Sequence, residues 1–112
     1  MIHVRDVRAI ALALPETTEE DHHGRPSFRV RGRVFATLPD GEHLNVMIDP
    51  LDVDGAVHED PAACEPVLWG RQVRGVRVKL RVAEPDMVRD LLEMAWRRKA
   101  PRALLQPPPG LA

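Results

Sequence analysis

The sequence predicts an α+β fold: a two-layer sandwich in which an antiparallel sheet carries helices packed on one face, in the order α-β-β-β-α-β-α. Three observations carry that expectation. Apolar residues near both ends of the chain, Val4 to Leu14 and Val88 to Trp96, recur at helical spacing. Between them, the pairs Arg31-Gly32 and Asp40-Gly41 separate runs of alternating character, as hairpin turns do. A later stretch, VRGVRVKLRV, alternates with the period of a strand.

The elements follow in order. Val4, Val7, Ile10, Ala11 and Leu14 define a first helix with Arg5 and Arg8 outside, stopped by Pro15. Residues 15–26 are polar, end in Gly24-Arg25-Pro26, and read as a loop. A two-residue turn at Arg31-Gly32 sets Phe28 opposite Phe35, an aromatic cross-strand pair. The turn at Asp40-Gly41 then sets Phe35 opposite Val46 and Thr37 opposite Leu44. One face of this meander collects Phe28, Val30, Phe35, Leu44, Val46 and Ile48. The other carries Arg29, Val34, Ala36, Asn45 and Met47, a mixed surface.

Asp49 caps a short second helix that Pro50 opens, and its thin apolar content places it on the surface. Residues 60–72 read as irregular, with Val67, Leu68 and Trp69 as a buried plug. In the next strand Val76, Val78, Leu80 and Val82 point one way, and Arg77, Lys79 and Arg81 the other. The last helix is carried by Val88, Leu91, Leu92, Ala95 and Trp96. Its end, Arg97-Arg98-Lys99, sets cations at the negative pole of the helix dipole before Pro101 stops it. Residues 1–102 are thus expected to form a single domain, and 103–112 a Pro-rich flexible tail.

Composition narrows the function. The chain has 112 residues, 44% of them hydrophobic and 29% charged, as in a globular domain with one core. The longest apolar run, AIALAL, is too short to cross a bilayer, and the N-terminus lacks the apolar core of a signal peptide. A single cysteine, Cys64, suits a reducing compartment, so a cytoplasmic protein is expected. The net charge of −1 hides strong segregation. Basic residues cluster at Arg25 to Arg33, at Arg71 to Arg81 and at Arg97 to Arg102, while the interval Asp40 to Glu65 holds acids without one Lys or Arg.

No catalytic constellation, cofactor or metal is expected. Asp21, His22 and His23 suggest a divalent-metal site at first sight, but adjacent histidines seldom bind one ion together. Cys64 lacks a neighbouring base and reads as a small buried hydrophobe, and no glycine-rich phosphate loop occurs. Trp69 and Trp96 read as core residues.

The basic strands are more informative. Alternate strand residues repeat at roughly 6.6–6.8 Å, near the phosphate spacing of a nucleic-acid strand. Arg29, Arg31, Arg33, Arg74, Arg77, Lys79 and Arg81 are therefore the expected phosphate contacts, with Asn45 as a polar reader. The alternative is a small-molecule pocket beside the 19–26 loop, built from His22, His23, Arg25, Asn45 and Met47. A third reading joins opposed acidic and basic surfaces in self-association. The expected partners are DNA, bound weakly and salt-sensitively, or a small molecule, with no membrane and a monomer or weak homodimer.

Longer wording carries a family resemblance. VRAIALALPETTEEDHHGRPSFRVRGRVFATL, HLNVMIDP, CEPVLWG, RGVRVKLRV and LLEMAWRRKAP together resemble the MmcQ/YjbR family of small bacterial proteins, over about Val4 to Arg102. The resemblance implies a frataxin/CyaY-like α/β sandwich and DNA binding through a double wing. Those wings would fall on the hairpin around Arg31-Gly32 and on the region from Trp69 to Gly75. It implies no set of catalytic residues. A frataxin-like fold would also suggest iron on an acidic first helix, whereas this one carries Arg5 and Arg8 with only Asp6.

Overall fold

A computed structural model describes residues 1–105. The first helix, α1 (Val4–Leu12), is closed at its start by the Asp6 carboxylate, which accepts the His3 backbone N–H at 3.0 Å. The polar segment after it is not a loop. Thr17–His22 form a strand, β1, and Arg25–Val30 form β2, joined by a tight turn at His23-Gly24. Both turn residues have positive φ, 54° and 82°, as a type I′ turn requires. β1 is an edge strand, so its polar residues meet water and leave no apolar alternation to read. Its charges also blunt the open edge against further pairing.

Arg31-Gly32 forms the expected two-residue turn into β3 (Arg33–Thr37), again with both φ positive, at 50° and 80°. The register differs beyond it. Val30 lies opposite Arg33 and Arg29 opposite Val34, but a bulge then places Phe28 opposite Ala36 instead of Phe35. Two residues of the bulged strand share one partner, so Ala36 turns into the core with Phe35 and does not join the mixed face. The shift propagates into β4 (His43–Val46), where Ala36 faces Val46 and Thr37 faces Asn45. Phe28, Val30, Phe35, Leu44, Val46 and Ile48 are all fully buried nonetheless. The predicted core residues are correct although all three expected pairings are displaced.

The Asp40-Gly41 connection is longer than two residues, because the Asp40 side chain organises it. Its Oδ1 accepts the backbone N–H groups of Glu42 at 2.7 Å and His43 at 2.8 Å. The Glu42 N–H is the main reason the Asp40 carboxyl sits below its ordinary range, with the His43 ring adding to it. A depressed carboxyl contributes stability above its unfolded value, and loses it as pH falls through the folded one. Asp40→Ala is therefore expected to cost a part-exposed loop about 0.5–1.5 kcal/mol at neutral pH. In thermal melts the gap from wild type should narrow below about pH 4.

The second helix, α2 (Pro50–Glu59), begins where Asp49 Oδ1 accepts the Leu51 N–H at 2.9 Å. It lies largely on the surface, with Leu51 exposed and Val53 buried. The stretch after it is also not irregular: Cys64–Trp69 form β5, paired antiparallel with β6 (Gln72–Lys79) through a turn at Gly70-Arg71. Val67 is buried as expected, but Leu68 and Trp69 are 57% and 64% exposed, so the plug and the core assignment of Trp69 are both overturned. Val67 and Trp69, two residues apart, share a face, with Val67 covered and Trp69 left in solvent at the strand end, and a bulge at Val67/Leu68 alters the pairing. Val76, Val78 and Leu80 are buried, whereas Val82 lies beyond the strand end and is half exposed.

The six strands form one antiparallel sheet in the order β1-β2-β3-β4-β6-β5. The long helix α3 (Pro85–Lys99) buries Val88, Leu91, Leu92, Ala95 and Trp96, the stripe expected from the sequence. It packs on β3, β4 and α1, while α2 packs on β5 and β6. The Trp96 indole N–H also donates to the Pro15 carbonyl at 3.0 Å, tying the end of α3 to the segment that follows α1. A last helical turn, α4 (Arg102–Leu105), sets Leu104 against the core; the remainder of the expected tail lies outside the described residues. Among the described residues no helix is long and apolar enough to cross a membrane.

Candidate functional site

The second face of the sheet shapes a cavity because β4 is short. The chain leaves β4 through a tight turn in which the Ile48 N–H donates to the Val46 carbonyl at 3.0 Å, while the Met47 N–H still reaches the Phe35 carbonyl. In leaving, it runs against β6 at Gly75: a Cβ at that position would sit 2.3 Å from the Val46 oxygen. Beyond the crossing no strand separates the first residues of β3 from the first residues of β6. A cavity of about 360 Å³ occupies the gap. Val34, Met47, Val67, Val73 and Trp69 supply its apolar lining, and His22, Thr37 and Asn45 add polar groups.

Its charged groups are all cationic. Arg74, Arg98 and Lys99 line it, and no carboxylate does. Arg74 comes from the β6 side of the Val67/Leu68 bulge, with its guanidinium carbon 5.3 Å from the centroid of the Trp69 ring, a cation–π contact. Arg98 donates from one nitrogen to the carbonyls of Met47 and Ile48, each at 3.1 Å, and so pins the chain that leaves β4. Arg33 reaches the same corner and donates to the Lys99 carbonyl at 3.4 Å. The Lys99 ammonium is pushed below its ordinary range, first by burial and then by the charges of Arg98, Arg33 and Arg74. Among the described residues none of these four cations takes part in an ion pair.

All three basic segments of the sequence therefore meet here: Arg33 from the first, Arg74 from the second, and Arg98 and Lys99 from the third. Along β6 the charge continues, since Arg77 lies beside Asn45 and donates to its Oδ1 at 3.0 Å. That bond fixes the orientation of the amide and leaves the Asn45 NH₂ group to donate elsewhere.

The residues expected from sequence divide accordingly. Arg74 lines the cavity, and Arg29, Arg77 and Lys79 lie on the same face of the sheet. Arg29 is held by the Ser27 hydroxyl at 3.1 Å and the Asp21 carbonyl at 3.2 Å. Arg31 sits at the far hairpin tip, ion-paired to Glu16 at 2.6 Å, and Arg81 follows the end of β6. Of the small-molecule set, His22, Asn45 and Met47 line the cavity. His23 belongs to the β1–β2 turn, with its ring edge-on to His22 at 4.6 Å, and Arg25 lines shallow depressions elsewhere.

Arg98 and Lys99 were not expected in any site, and Trp69 was expected only as the start of the wing region Trp69 to Gly75 that the family resemblance implies. The sequence explains the cations fully as a helix-dipole complement, and it explains Trp69 as part of an apolar run. Only the placement of α3 against the end of β4 reveals their second role.

Asp21 is engaged by the Gly24 N–H at 3.2 Å, and among the described residues no group of three or more His, Cys, Asp or Glu side chains could hold a metal ion. Cys64 is buried, with its Sγ 3.7 Å from the Met87 sulfur. Burial, and then the charge of Asp60, pushes its thiol up to about 11, which is the opposite of an activated nucleophile.

Fold and cavity together define a small α+β domain with a cation-lined, partly apolar concavity at the gap where β4 leaves an antiparallel sheet, bordered by the last turn of α3. The YjbR family model matches residues 12–98, and the chain belongs to that family. The crystal structure of Deinococcus radiodurans protein DR2400, with a DUF419 family-model domain, superposes with a TM-score of 0.76, covering 96% of this chain and 91% of that one. At 20% identity that likeness is one of fold. No curated protein matches the chain in sequence.

Proposed function

We propose that the protein is a non-enzymatic nucleic-acid-binding domain that meets the phosphate backbone at the gap beside β4 and along the sheet face that borders it. The observation that carries this reading is the meeting of Arg33, Arg74, Arg98 and Lys99 around a cavity lined by no carboxylate. Clustered cations without counter-charges repel one another, and a polyanion relieves that repulsion while releasing its own counterions. Arg29, Arg77 and Lys79 extend the same face, so a strand of phosphates has several donors to follow. Such contacts position a backbone and carry no sequence information. Arg31 and Arg81 drop out of the proposed set, because one is neutralised by Glu16 and the other lies past the strand end.

Fluorescence anisotropy with labelled single-stranded and duplex DNA at two salt concentrations tests the proposal. With about four phosphate contacts, log K on a duplex should fall against log salt with a slope near −3.6. Lys99→Met should make that slope shallower by about one unit. Absence of saturable binding at the lower salt concentration sinks the reading.

A second reading is favoured by the cavity itself. Its volume of about 360 Å³ and its valine, methionine and tryptophan lining suit a small anionic molecule with an apolar body. A thermal-shift screen against aromatic carboxylates and phosphates decides it, and a flat response across the set removes it.

A further inference from the structure

The cavity differs from the basic sheet face beside it in a way that phosphate contacts alone do not explain. A surface that only tracks a backbone needs no recess: exposed Lys79 with half-buried Arg29 and Arg77 would suffice. Here the cations stand at an apolar recess in which an aromatic ring is left in solvent: Trp69 is 64% exposed, with only Arg74 over it. Exposed tryptophan beside clustered arginines is how proteins without base-pair readout hold unpaired bases, by stacking on the ring. The recess also has a built polar edge. Arg77 holds the Asn45 carbonyl oxygen, so the amide presents its NH₂ donors.

We infer that the cavity receives one unpaired nucleobase together with its attached phosphate. The base lies against Trp69 and Val34, an acceptor on its edge meets the Asn45 NH₂ group, and the phosphate meets Arg74, Arg98 and Lys99. This rests on the nucleic-acid reading of the same face and makes it specific, because a base still paired in a duplex cannot enter a recess. The volume of about 360 Å³ is at the small end of ligand pockets, room for one nucleotide and not for two stacked ones. The ligand chemistry is shared by a free mononucleotide and by a nucleotide within a single strand, and the test separates those sources.

The full chain is titrated at one salt concentration with a thymine decanucleotide, a duplex of the same length, thymidine 5′-monophosphate, thymidine and inorganic phosphate. Binding is followed by anisotropy, and by chemical shifts of the Asn45 side-chain amide and the Trp69 indole N–H. The inference expects the single strand to bind about tenfold more tightly than the duplex, equivalent to about 1.4 kcal/mol, within the range for one base–aromatic stack. It also expects the monophosphate to shift both signals, and thymidine and phosphate alone to shift them less. Trp69→Ala and Asn45→Ala should each remove most of the single-strand advantage, lowering single-strand affinity several-fold more than duplex affinity. Trp69 is exposed, so its replacement keeps the fold, and a melt confirms this. Shifts from the monophosphate without any oligonucleotide binding would assign the cavity to free nucleotides and end the nucleic-acid reading alone. Equal affinity for strand and duplex, or variants that weaken both alike, would overturn the base receptor and leave phosphate-backbone binding standing.

Discussion

Replacing Gly75 with alanine is expected to destabilise the protein by about 3 kcal/mol or more, beyond the usual range for a single added methyl. In most strands the opposite sign applies, because removing a glycine stiffens the unfolded chain and gains about 0.4–1 kcal/mol. At Gly75 the new Cβ would stand 2.3 Å from the Val46 carbonyl oxygen and 3.2 Å from the Met47 Cα. Both are backbone atoms, so no rotamer change relieves the clash. The chain leaving β4 must lift off β6, and the Arg98 bonds to the carbonyls of Met47 and Ile48 go with it. At roughly 4 °C per kcal/mol for a domain of this size, Tm should fall by at least about 12 °C. Gly55→Ala makes the matched control. Gly55 lies inside α2 with nothing within 4 Å of its missing side chain, and its replacement should gain roughly 0.5–1 kcal/mol. A Gly75→Ala protein that melts with wild type would show that β4 does not cross β6 at this point.

Phe35→Ala is expected to be equally severe. Phe35 is the extra residue of the β2–β3 bulge, fully buried, and its carbonyl accepts the Met47 N–H at 2.9 Å. Truncation to alanine leaves a cavity beneath α3 that close-packed neighbours fill only partly, at about 3–5 kcal/mol. Urea unfolding at 25 °C should show this as a lower midpoint with an unchanged m-value, since the surface exposed on unfolding hardly changes. Phe35→Leu, which keeps most of the volume, should recover more than half of the loss. An alanine variant within about 1 kcal/mol of wild type would contradict the packing described for the bulge.

These positions also show what the sequence could and could not reveal. The core face of the meander was legible because strand side chains alternate, so Phe28, Val30, Leu44 and Val46 declare their side whatever their exact partners. The register was not, because a bulge inserts one residue without changing which residues are apolar; Phe35 and Ala36 look alike in sequence whichever of them faces Phe28. α3 was legible from its stripe, and Asp49 and Pro50 from their capping chemistry. β1 was hidden by its position at the sheet edge, where polar residues are suitable and no pattern is required.

The candidate site was legible only in fragments. His22, Asn45 and Met47 were placed beside one another by strand alternation and by the neighbouring loop, and all three line the cavity. Its cations come from segments separated by tens of residues, and nothing local in Arg98 or Lys99 signals Arg33 or Arg74. Their convergence is a product of topology: the order β3-β4-β6 brings the start of β3 and the start of β6 to either side of the point where β4 stops. Trp69 was misread because an apolar run of three residues suggests burial, whereas Trp69 ends β5 beside the turn, where the surroundings that cover Val67 leave its ring in solvent.

The crowding at Lys99 reaches beyond ligands, to what the fold gives up in keeping it. An ammonium whose folded pKa lies below its unfolded value binds its proton more weakly in the native state. It therefore opposes folding at every pH below that window, and stability rises as pH climbs through it. Lys99→Met should accordingly raise Tm at neutral pH while it weakens anion binding, a variant fitter as a molecule and poorer as a receptor. Selection for stability alone would discard such a lysine, since proteins need only remain above a threshold and neutralising changes are easily found. On the proposed function, its place in a crowd of arginines is a cost in resting stability that a bound anion would offset.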